Sequence, residues 1–345
     1  MKKVCIIGHF GEGKKLLNGQ TVKTKILSEE LEKKYGTENI IKIDTCGGKK
    51  AIFRLFFQIG KALKKCENIV ILPAHNGIKI IPRFIRFWNH FLKRKLHYDV
   101  IGGWLPELLV SSPRLIRILS KYTGIYVETN SMKQALNKLG LNNVYVVPNC
   151  KNLEIVPVDE LDVLHERPIK LCTFSRVMKE KGIEEAIHVV EELNKEYGNP
   201  IFELDIYGQI DKNQEQWFQK LKETFSNQIH YKGLVDYNKS TSVLRQYHAL
   251  LFPTFYKGEG FAGTIIDAMA AGVPVIASDW KYNNEIIKEG YNGLLFETHN
   301  EEELKNIIKD ALINSNRIVL MKKNCVLSAE KYLPSVALQP IFERI

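Results

Sequence analysis

Short apolar runs, each followed by a glycine-containing turn and an amphipathic stretch, recur along the chain. Apolar runs of this length, separated by helical spacing, predict buried strands of a parallel sheet. The series stops at Pro148-Asn149, and a linker with two prolines and several acids follows from Lys151 to Pro168. The strands predicted before this linker are Val4–Ile7, Ile40–Ile43, Ile69–Leu72, Val100–Ile101, Ile125–Val127 and Val144–Val147.

A second series of the same kind begins after the linker. Its predicted strands are Ile169–Ser175, Phe202–Tyr207, His230–Tyr231, Ala249–Phe252 and Val275–Ala277. Apolar residues at helical spacing lie between them. The pattern predicts an α/β protein with two doubly wound, Rossmann-like parallel-sheet units, residues 1–152 and 168–329. Ligands of such sheets bind beyond the carboxyl ends of the strands, so the cleft between the two units is the expected site.

Bulk features narrow the class of protein. No apolar run approaches the roughly 20 residues that span a bilayer, and the N-terminal run is interpreted as a first strand and not as a signal peptide. The six cysteines include no close pair, which is typical of reduced thiols. We therefore expect a cytoplasmic location.

Positive charge is concentrated in one stretch. Between Lys49 and His97 there are twelve Lys or Arg residues and one acid, Glu67, whereas the rest of the chain is close to neutral. Packing of an amphipathic helix explains the apolar stripe from Ile81 to Leu92 but not the charge. We expect peripheral contact with an anionic membrane at its inner face. Single-stranded nucleic acid also favours basic and aromatic surfaces, but no RNA-binding motif is present, so no nucleic-acid partner is expected.

The most informative segment extends from Pro253 to Phe296. A strand leads into a loop, and a helix is expected from Ala262 to Gly272, with Pro274 behind it as a stop signal. The first turn of such a helix offers free N–H groups, here from Phe261 to Thr264, and these are suited to an anion.

Two acids flank this helix start. Asp267 lies one turn into the helix, about 5–6 Å further along the axis, and Glu259 lies in the preceding loop. A diphosphate at the helix tip would place an attached ribose near Asp267 and a sugar near Glu259. Taken alone, the two acids are better explained as helix-capping and surface residues.

The surrounding pattern resembles the retaining GT-B glycosyltransferases of family 4 (glycosyl transferases group 1). The resemblance consists of two acids eight positions apart followed by three short motifs. These elements are Glu259 and Asp267, Gly272–Ser278 (GVPVIAS), Glu285-Ile286 and Asn292–Phe296 (NGLLF). The second acid is usually Glu, so Asp267 departs from the family pattern and implies a looser or water-mediated ribose contact.

The resemblance implies roles for further residues. FSRVMKEKGIEEAI matches the segment that binds the donor diphosphate, which gives Arg176 and Lys181 that role and makes them catalytic together with Glu259. Two fixed cations would stabilise charge that develops on the leaving diphosphate; the alternative is a pair of surface basics beside a helix start. The implied donor-binding residues are Gly19, Gly208, Leu234, Val235, Gly260, Phe261, Ala262, Gly263, Thr264 and Asp267.

The first unit carries weaker signals. Gly8–Lys15 matches a P-loop except that Lys15 replaces the hydroxyl residue that binds Mg²⁺. We therefore interpret the loop from Gly8 to Gln20 as the family's glycine-rich loop. The histidine that many relatives carry after the fourth strand is missing, and His75 is the candidate to line the cleft or to be a polar loop residue. The segment 330–345 resembles the family's last helix, which crosses back onto the first domain.

The sequence therefore predicts retaining transfer of a sugar from a UDP- or GDP-linked donor to a saccharide or lipid-linked acceptor, in polysaccharide or glycolipid assembly. No Asp-x-Asp motif is present, so neither a metal nor another cofactor is expected. Two alternatives remain open. One is a nucleotide-sugar epimerase of the same fold, and the other is a catalytically degenerate subunit that binds nucleotide and supports a partner.

Overall fold

The computed structural model describes residues 1–11, 19–46, 49–161, 167–313 and 317–345, with the backbone alone at 49–52 and 237. The chain forms two compact units. The first contains Met1–Asn152 and Tyr332–Ile345, and the second contains Leu153–Lys331. None of the described helices has the length and apolar character needed to cross a bilayer.

The first unit is built on six parallel strands in the order β2-β1-β3-β4-β5-β6. The strands are β1 Lys2–Gly8, β2 Ile40–Asp44, β3 Cys66–Ile71, β4 Lys95–Asp99, β5 Gly124–Val127 and β6 Val144–Val146. The helices are α1 Gly19–Tyr35, α2 Lys49–Lys65, α3 Ile81–Leu92, α4 Leu105–Val110, α5 Pro113–Leu119 and α6 Asn130–Lys138.

The second unit repeats this plan with six parallel strands in the order β12-β11-β10-β7-β8-β9. The strands are β7 Ile169–Phe174, β8 Phe202–Tyr207, β9 Ile229–Gly233, β10 Ala249–Phe252, β11 Val275–Ser278 and β12 Gly293–Phe296. The helices are α7 Ile183–Glu196, α8 Glu215–Lys222, α9 Ser240–Leu244, α10 Gly263–Ala270, α11 Asn283–Ile286, α12 Glu301–Ile313 and α13 Arg317–Ala329.

The last residues of the chain complete the core of the first unit. They form two short helices, α14 Pro334–Ala337 and α15 Gln339–Phe342, instead of one continuous helix. Leu338 and Ile341 are buried in the same apolar cluster as Val4 and Ile6 of β1. The turn from α14 to α15 is needed because Pro340 has no N–H for a continuous helical ladder.

One predicted strand was misplaced, and one observed strand was not predicted. The fourth strand is Lys95–Asp99 and not Val100–Ile101. Its sequence, KLHYD, is basic and polar and lacks the apolar run that predicts a buried strand, although four of its five residues are buried. The final strand β12 was not predicted as a strand, since its four residues also formed part of the glycosyltransferase-like motif.

The first unit also buries a charged cluster at the carboxyl ends of its strands. The Nζ atom of Lys23 lies 3.1 Å from Asp99 Oδ1 and 3.2 Å from Glu128 Oε1, and it donates to the carbonyl oxygen of Val100 at 2.8 Å. All three charged side chains are at most 3% exposed. Burial raises the pKa of Asp99 to about 6, against the opposing effect of Lys23. The positive charge of Lys23 therefore offsets the free-energy cost of burying the two carboxylates.

Candidate functional site

The loop after β10 holds the first predicted acid in a buried network. Glu259 is 8% exposed and Thr254 is fully buried. One carboxylate oxygen of Glu259, Oε2, accepts from the Nζ atom of Lys181 at 2.5 Å and from the Oγ1 hydroxyl of Thr254 at 2.9 Å. The predicted cation and the predicted acid are thus in direct contact, a pairing that their 78-residue separation in the chain does not reveal.

Lys181 reaches this acid from a 3-10 helical turn, Lys179–Lys181, that follows β7. Its side chain is 11% exposed, and its Nζ atom lies 5.3 Å from the ring centroids of both Phe252 and Tyr256. A carboxylate and two aromatic faces therefore surround the ammonium group. Such an environment stabilises a cation that has lost most of its hydration.

Glycine at position 182 allows the two loops to meet. Gly182 has φ of +68°, and a Cβ atom there would lie 2.1 Å from the carbonyl oxygen of Pro253. Next to this contact, the N–H of Phe255 donates to the carbonyl oxygen of Glu180 at 2.9 Å. A side chain at position 182 would push the loops apart, so glycine is required where Lys181 approaches Glu259.

The end of β11 and the loop that follows it fix the other side of the same segment. Ser278, which is fully buried, donates from Oγ to the carbonyl oxygen of Thr254 at 2.6 Å. The indole N–H of Trp280 donates to the carbonyl oxygen of Tyr256 at 2.9 Å. The positions of Thr254 and Tyr256 around the ion pair are therefore set by hydrogen bonds from both neighbouring loops.

Helix α10 begins immediately after this loop, close to the predicted position. Ala262 is its N-cap and provides no side-chain hydrogen bond. The N–H of Ile265 donates to the carbonyl oxygen of Ala262 at 3.1 Å, whereas helix geometry gives the N–H groups of Gly263 and Thr264 no intrahelical acceptor. The hydroxyl of Thr264 is buried without a hydrogen-bond partner, and Asp267, one turn along, is only 4% exposed. Phe261 and Ala262 are buried, whereas Gly260, Gly263 and Thr264 are half-buried.

Arg176 lies outside the Lys181–Glu259 network. It is 57% exposed, and its guanidinium lies 3.6 Å from a carboxylate oxygen of Asp211. Behind it, Gly208 has φ of +137°, and a Cβ atom there would lie 1.7 Å from the carbonyl oxygen of Ser175. The close backbone approach of the loops after β7 and β8 therefore determines the position of Arg176.

The remaining predicted residues of the second unit follow β9. The N–H of Gly208 donates to the carbonyl oxygen of Gly233 at 2.8 Å, which aligns the ends of β8 and β9. Leu234 is 71% exposed and Val235 is half-buried. Arg176, Gly208, Leu234 and Val235 thus follow three adjacent strands, and Lys181 and Glu259 follow β7 and β10. Because all these strands are parallel, the two groups of residues share one edge of the sheet.

Two of the predicted site residues, His75 and Gly19, belong to the first unit. His75 is exposed, and its ring centroid lies 5.2 Å from that of Trp104. Gly19 is the first residue of α1, and a Cβ atom there would meet nothing within 4 Å. Most of the predicted glycine-rich loop, residues 12–18, lies outside the described residues.

Sequence reasoning missed a cluster of metal-binding side-chain types at β8 and β9. The parallel register places Asp205 opposite His230, and ligand atoms of Glu203, Asp205 and His230 lie within 4.8 Å of one another. The cluster already has internal partners, since Lys232 lies 3.5 Å from Asp205 and the hydroxyl of Tyr247 donates to Asp205 at 2.6 Å. Burial raises the pKa of Tyr247, so its hydroxyl stays protonated.

Comparison with known proteins gives a family match for the second unit. The family model described as "Glycosyl transferases group 1" matches residues 162–326. A glycosyltransferase of Methanocaldococcus jannaschii, MJ1069, is 29% identical over 235 residues, which are 68% of this chain and 57% of that protein. The GtfA subunit of the UDP-N-acetylglucosamine–peptide N-acetylglucosaminyltransferase of Streptococcus pneumoniae is 29% identical over 198 residues. That alignment covers 53% of this chain and 38% of GtfA, so the chain matches less than two thirds of either relative.

Solved structures resemble the whole chain. HepE of Anabaena, solved with UDP, has a TM-score of 0.74 at 15% identity and covers 99% of both chains. Sucrose-phosphate synthase from Thermosynechococcus elongatus has a TM-score of 0.76 at 15% identity and covers 100% of this chain and 99% of its own. At this identity the likeness shows the fold, which confirms the predicted GT-B class. The family match, the relatives and the fold together support a glycosyltransferase.

Proposed function

We propose that the chain transfers a sugar, with retention of anomeric configuration, from a UDP-linked donor held by its second unit. The observation that carries this proposal is the buried Lys181–Glu259–Thr254 network beside the uncapped start of α10. Diphosphate binding needs a cation and free N–H groups, and both are present here at neighbouring loop ends.

The geometry suggests how the transfer would proceed. The donor diphosphate would take the first-turn N–H groups of α10 and the ammonium group of Lys181. As the bond to the sugar breaks, negative charge grows on the leaving phosphate, and fixed donors stabilise it without reorganising. Glu259, which holds Lys181 before the donor arrives, would face the sugar, and Asp267 the ribose. No side chain is assigned as a covalent nucleophile, so attack on the same face would be assisted by the leaving phosphate.

The choice of uridine rests on similar proteins. HepE has been solved with UDP, with UDP and glucose, and with UDP-glucose. The streptococcal GtfA relatives are named for UDP-N-acetylglucosamine. A base would contact the exposed backbone around Leu234 and Val235 after β9, with Arg176 as the second cation at the phosphates.

Titration calorimetry with UDP and GDP tests the donor site. We expect UDP to bind more tightly than GDP, and Lys181→Gln to weaken UDP binding about tenfold through loss of one charge-assisted contact. Glu259→Gln keeps an oxygen that can accept from the ammonium group of Lys181, so it should change UDP affinity less than threefold, yet lower turnover of a UDP-sugar at least a hundredfold. The matched controls Lys220→Gln and Glu215→Gln change exposed residues of α8 and should alter neither quantity. Failure of both nucleotides to bind, or unchanged turnover in Glu259→Gln, would contradict the proposal.

Two further measurements test the chemistry. Proton NMR of the first-formed product should show the anomeric configuration of the donor, and an inverted product would exclude retention. We also propose that no metal is needed, because Lys181 and Arg176 supply the positive charge at the diphosphate. Turnover should then be the same with EDTA as without it, and a loss that Mn²⁺ or Mg²⁺ restores would contradict this part.

The acceptor is proposed to be a saccharide or a lipid-linked saccharide in polysaccharide or glycolipid assembly. A second candidate role is that of a nucleotide-binding subunit that acts only with a partner. It is favoured by the GtfA relatives, which are named as a subunit and whose solved structures include a GtfA/B complex. Turnover by the purified chain alone separates the two roles, and sugar-nucleotide conversion without any acceptor would instead indicate an epimerase.

A further inference from the structure

Helix α3 of the first unit exposes large aromatic side chains. Its core-facing residues, such as Ile85, are buried, whereas Phe87 and Phe91 are 60% and 81% exposed. The exposed aromatic surface continues on α2, where Phe53 and Phe57 are 73% and 47% exposed. Contiguous apolar surface of this kind marks an interaction site more often than chance exposure. We call these four residues the aromatic surface.

The two helices hold this surface together. The ring of Phe56 lies 5.4 Å from that of Phe57, 5.6 Å from that of Phe87 and 5.3 Å from that of Trp88, measured between centroids. The indole N–H of Trp88 donates to the carbonyl oxygen of Phe56, and a Cβ atom at Gly60 would lie 2.6 Å from the indole ring. The aromatic side chains of α2 and α3 therefore form one packed face and not separate exposed residues.

A basic groove borders this face between α3 and α5. It consists of two adjoining depressions of about 700 and 610 Å³ that share Arg86, His90, Arg117 and Ile118. No carboxylate lines either depression, and within the described part of the chain none of the four lining arginines has an acidic partner. Six like charges at one groove repel one another, so an anionic ligand would stabilise the arrangement. The six cations are Arg83, Arg86, Lys93, Arg114, Arg117 and Lys121.

We propose that this face of the first unit docks on an anionic phospholipid bilayer, with headgroup phosphates in the six-cation groove and the aromatic surface inserted at the acyl boundary. Cations beside exposed aromatic rings are the pattern that interfacial binding requires. A single-stranded nucleic acid would need rings along the groove itself for base stacking. Phe87 and Phe91 do line it, but the aromatic surface continues beyond the groove to Phe53 and Phe57, whose exposed rings a strand bound in the groove would not contact. This extension favours the bilayer. The docking does not depend on the sugar-transfer proposal, since it uses neither donor nor acceptor.

Vesicle flotation tests this directly with the full chain. The neutral vesicles contain phosphatidylcholine alone, and the anionic vesicles contain about 30% phosphatidylglycerol in addition. We expect binding only to the anionic vesicles, weakened in 0.5 M salt because surface charges are screened. Each arginine near such a surface contributes about fivefold to the partition coefficient, so Arg86→Gln with Arg117→Gln should weaken binding about 25-fold. Phe87→Ser with Phe91→Ser should weaken it on anionic vesicles as well.

Matched controls on the second unit separate the groove from net charge and general hydrophobicity. Lys195→Gln with Lys220→Gln removes the same charge from exposed helix positions, and Leu320→Ser removes an apolar residue that is 68% exposed. These variants should float like the unaltered protein. Equal binding to neutral vesicles, no binding to either, or wild-type flotation of the arginine pair would overturn the proposal. So would tighter binding of the groove to a single-stranded oligonucleotide than to anionic vesicles.

Discussion

Replacing Gly182 by alanine tests whether the close approach of two loops builds the candidate site. Two costs can be separated. A residue other than glycine at positive φ costs about 1–2 kcal/mol. The added Cβ would also lie 2.1 Å from the carbonyl oxygen of Pro253, a backbone atom that cannot rotate away, and forced shifts of this kind cost about 1–3 kcal/mol.

Gly198 provides the matched control. It lies in the same unit with φ of +65°, and a Cβ atom there would meet nothing within 4 Å. Gly198→Ala should therefore show only the conformational cost, and Gly182→Ala about 1–3 kcal/mol more. The comparison needs urea denaturation, with hydrogen exchange on peptides of the second unit to assign the transition to that unit.

The same substitution should affect ligand binding. Displacing the loop at Pro253 separates Lys181 from Glu259, so Gly182→Ala should weaken UDP binding at least tenfold, whereas Gly198→Ala should leave it unchanged. If the two variants lose the same stability within about 0.5 kcal/mol and bind UDP equally, the loop contact does not position the cation, and our reasoning about the site is refuted.

Three further predictions concern stability. Burial lowers the pKa of His97 from 6.5 to about 4; because the folded pKa lies below the unfolded one, up to about 3 kcal/mol of stabilisation is complete above pH 6.5 and is lost as pH falls toward 4. Urea denaturation at pH 7.5 and pH 5 should show a smaller pH effect in His97→Gln. Lys23→Met leaves two buried carboxylates without their cation and should cost about 3–5 kcal/mol by the same assay; a loss under 1 kcal/mol would contradict this. Ser278→Ala removes the buried hydrogen bond to Thr254 and should cost about 1–2 kcal/mol, against a smaller loss for Ser242→Ala, whose similar bond is exposed.

The parts of the fold with clear apolar runs could be predicted from the sequence. Strands such as β8 and β10 were predicted with their observed bounds, because buried parallel strands consist of consecutive apolar residues. Strand β4 was misplaced, since it buries His97 between the side chains of Tyr126 and Asn68 in place of an apolar residue. Hydrogen bonds from two other strands allow that burial. The local sequence of β4 gives no information about these partners.

The candidate site was predictable as a set of residues but not as a network. The motif around Glu259 and the basic segment around Lys181 indicated their elements, but not their direct contact. The supporting hydroxyl of Thr254 gave no recognisable signal, because a single buried threonine after a strand has many other roles. Arg176 was grouped with Lys181 by sequence, whereas the structure pairs it with Asp211 after β8. The ion-pair partners of Arg176 and Lys181 depend on the conformation of their loops. The sequence pattern around each residue does not specify that conformation.

The segment Tyr332–Ile345 has a consequence for how the protein is made. The first unit needs Leu338 and Ile341 to close its core around β1, yet the ribosome must translate all of Leu153–Lys331 before it reaches them. At typical elongation rates this delay is roughly ten to thirty seconds. During that interval the nascent first unit would keep an apolar gap open to chaperones, so its maturation must wait for synthesis of the second unit.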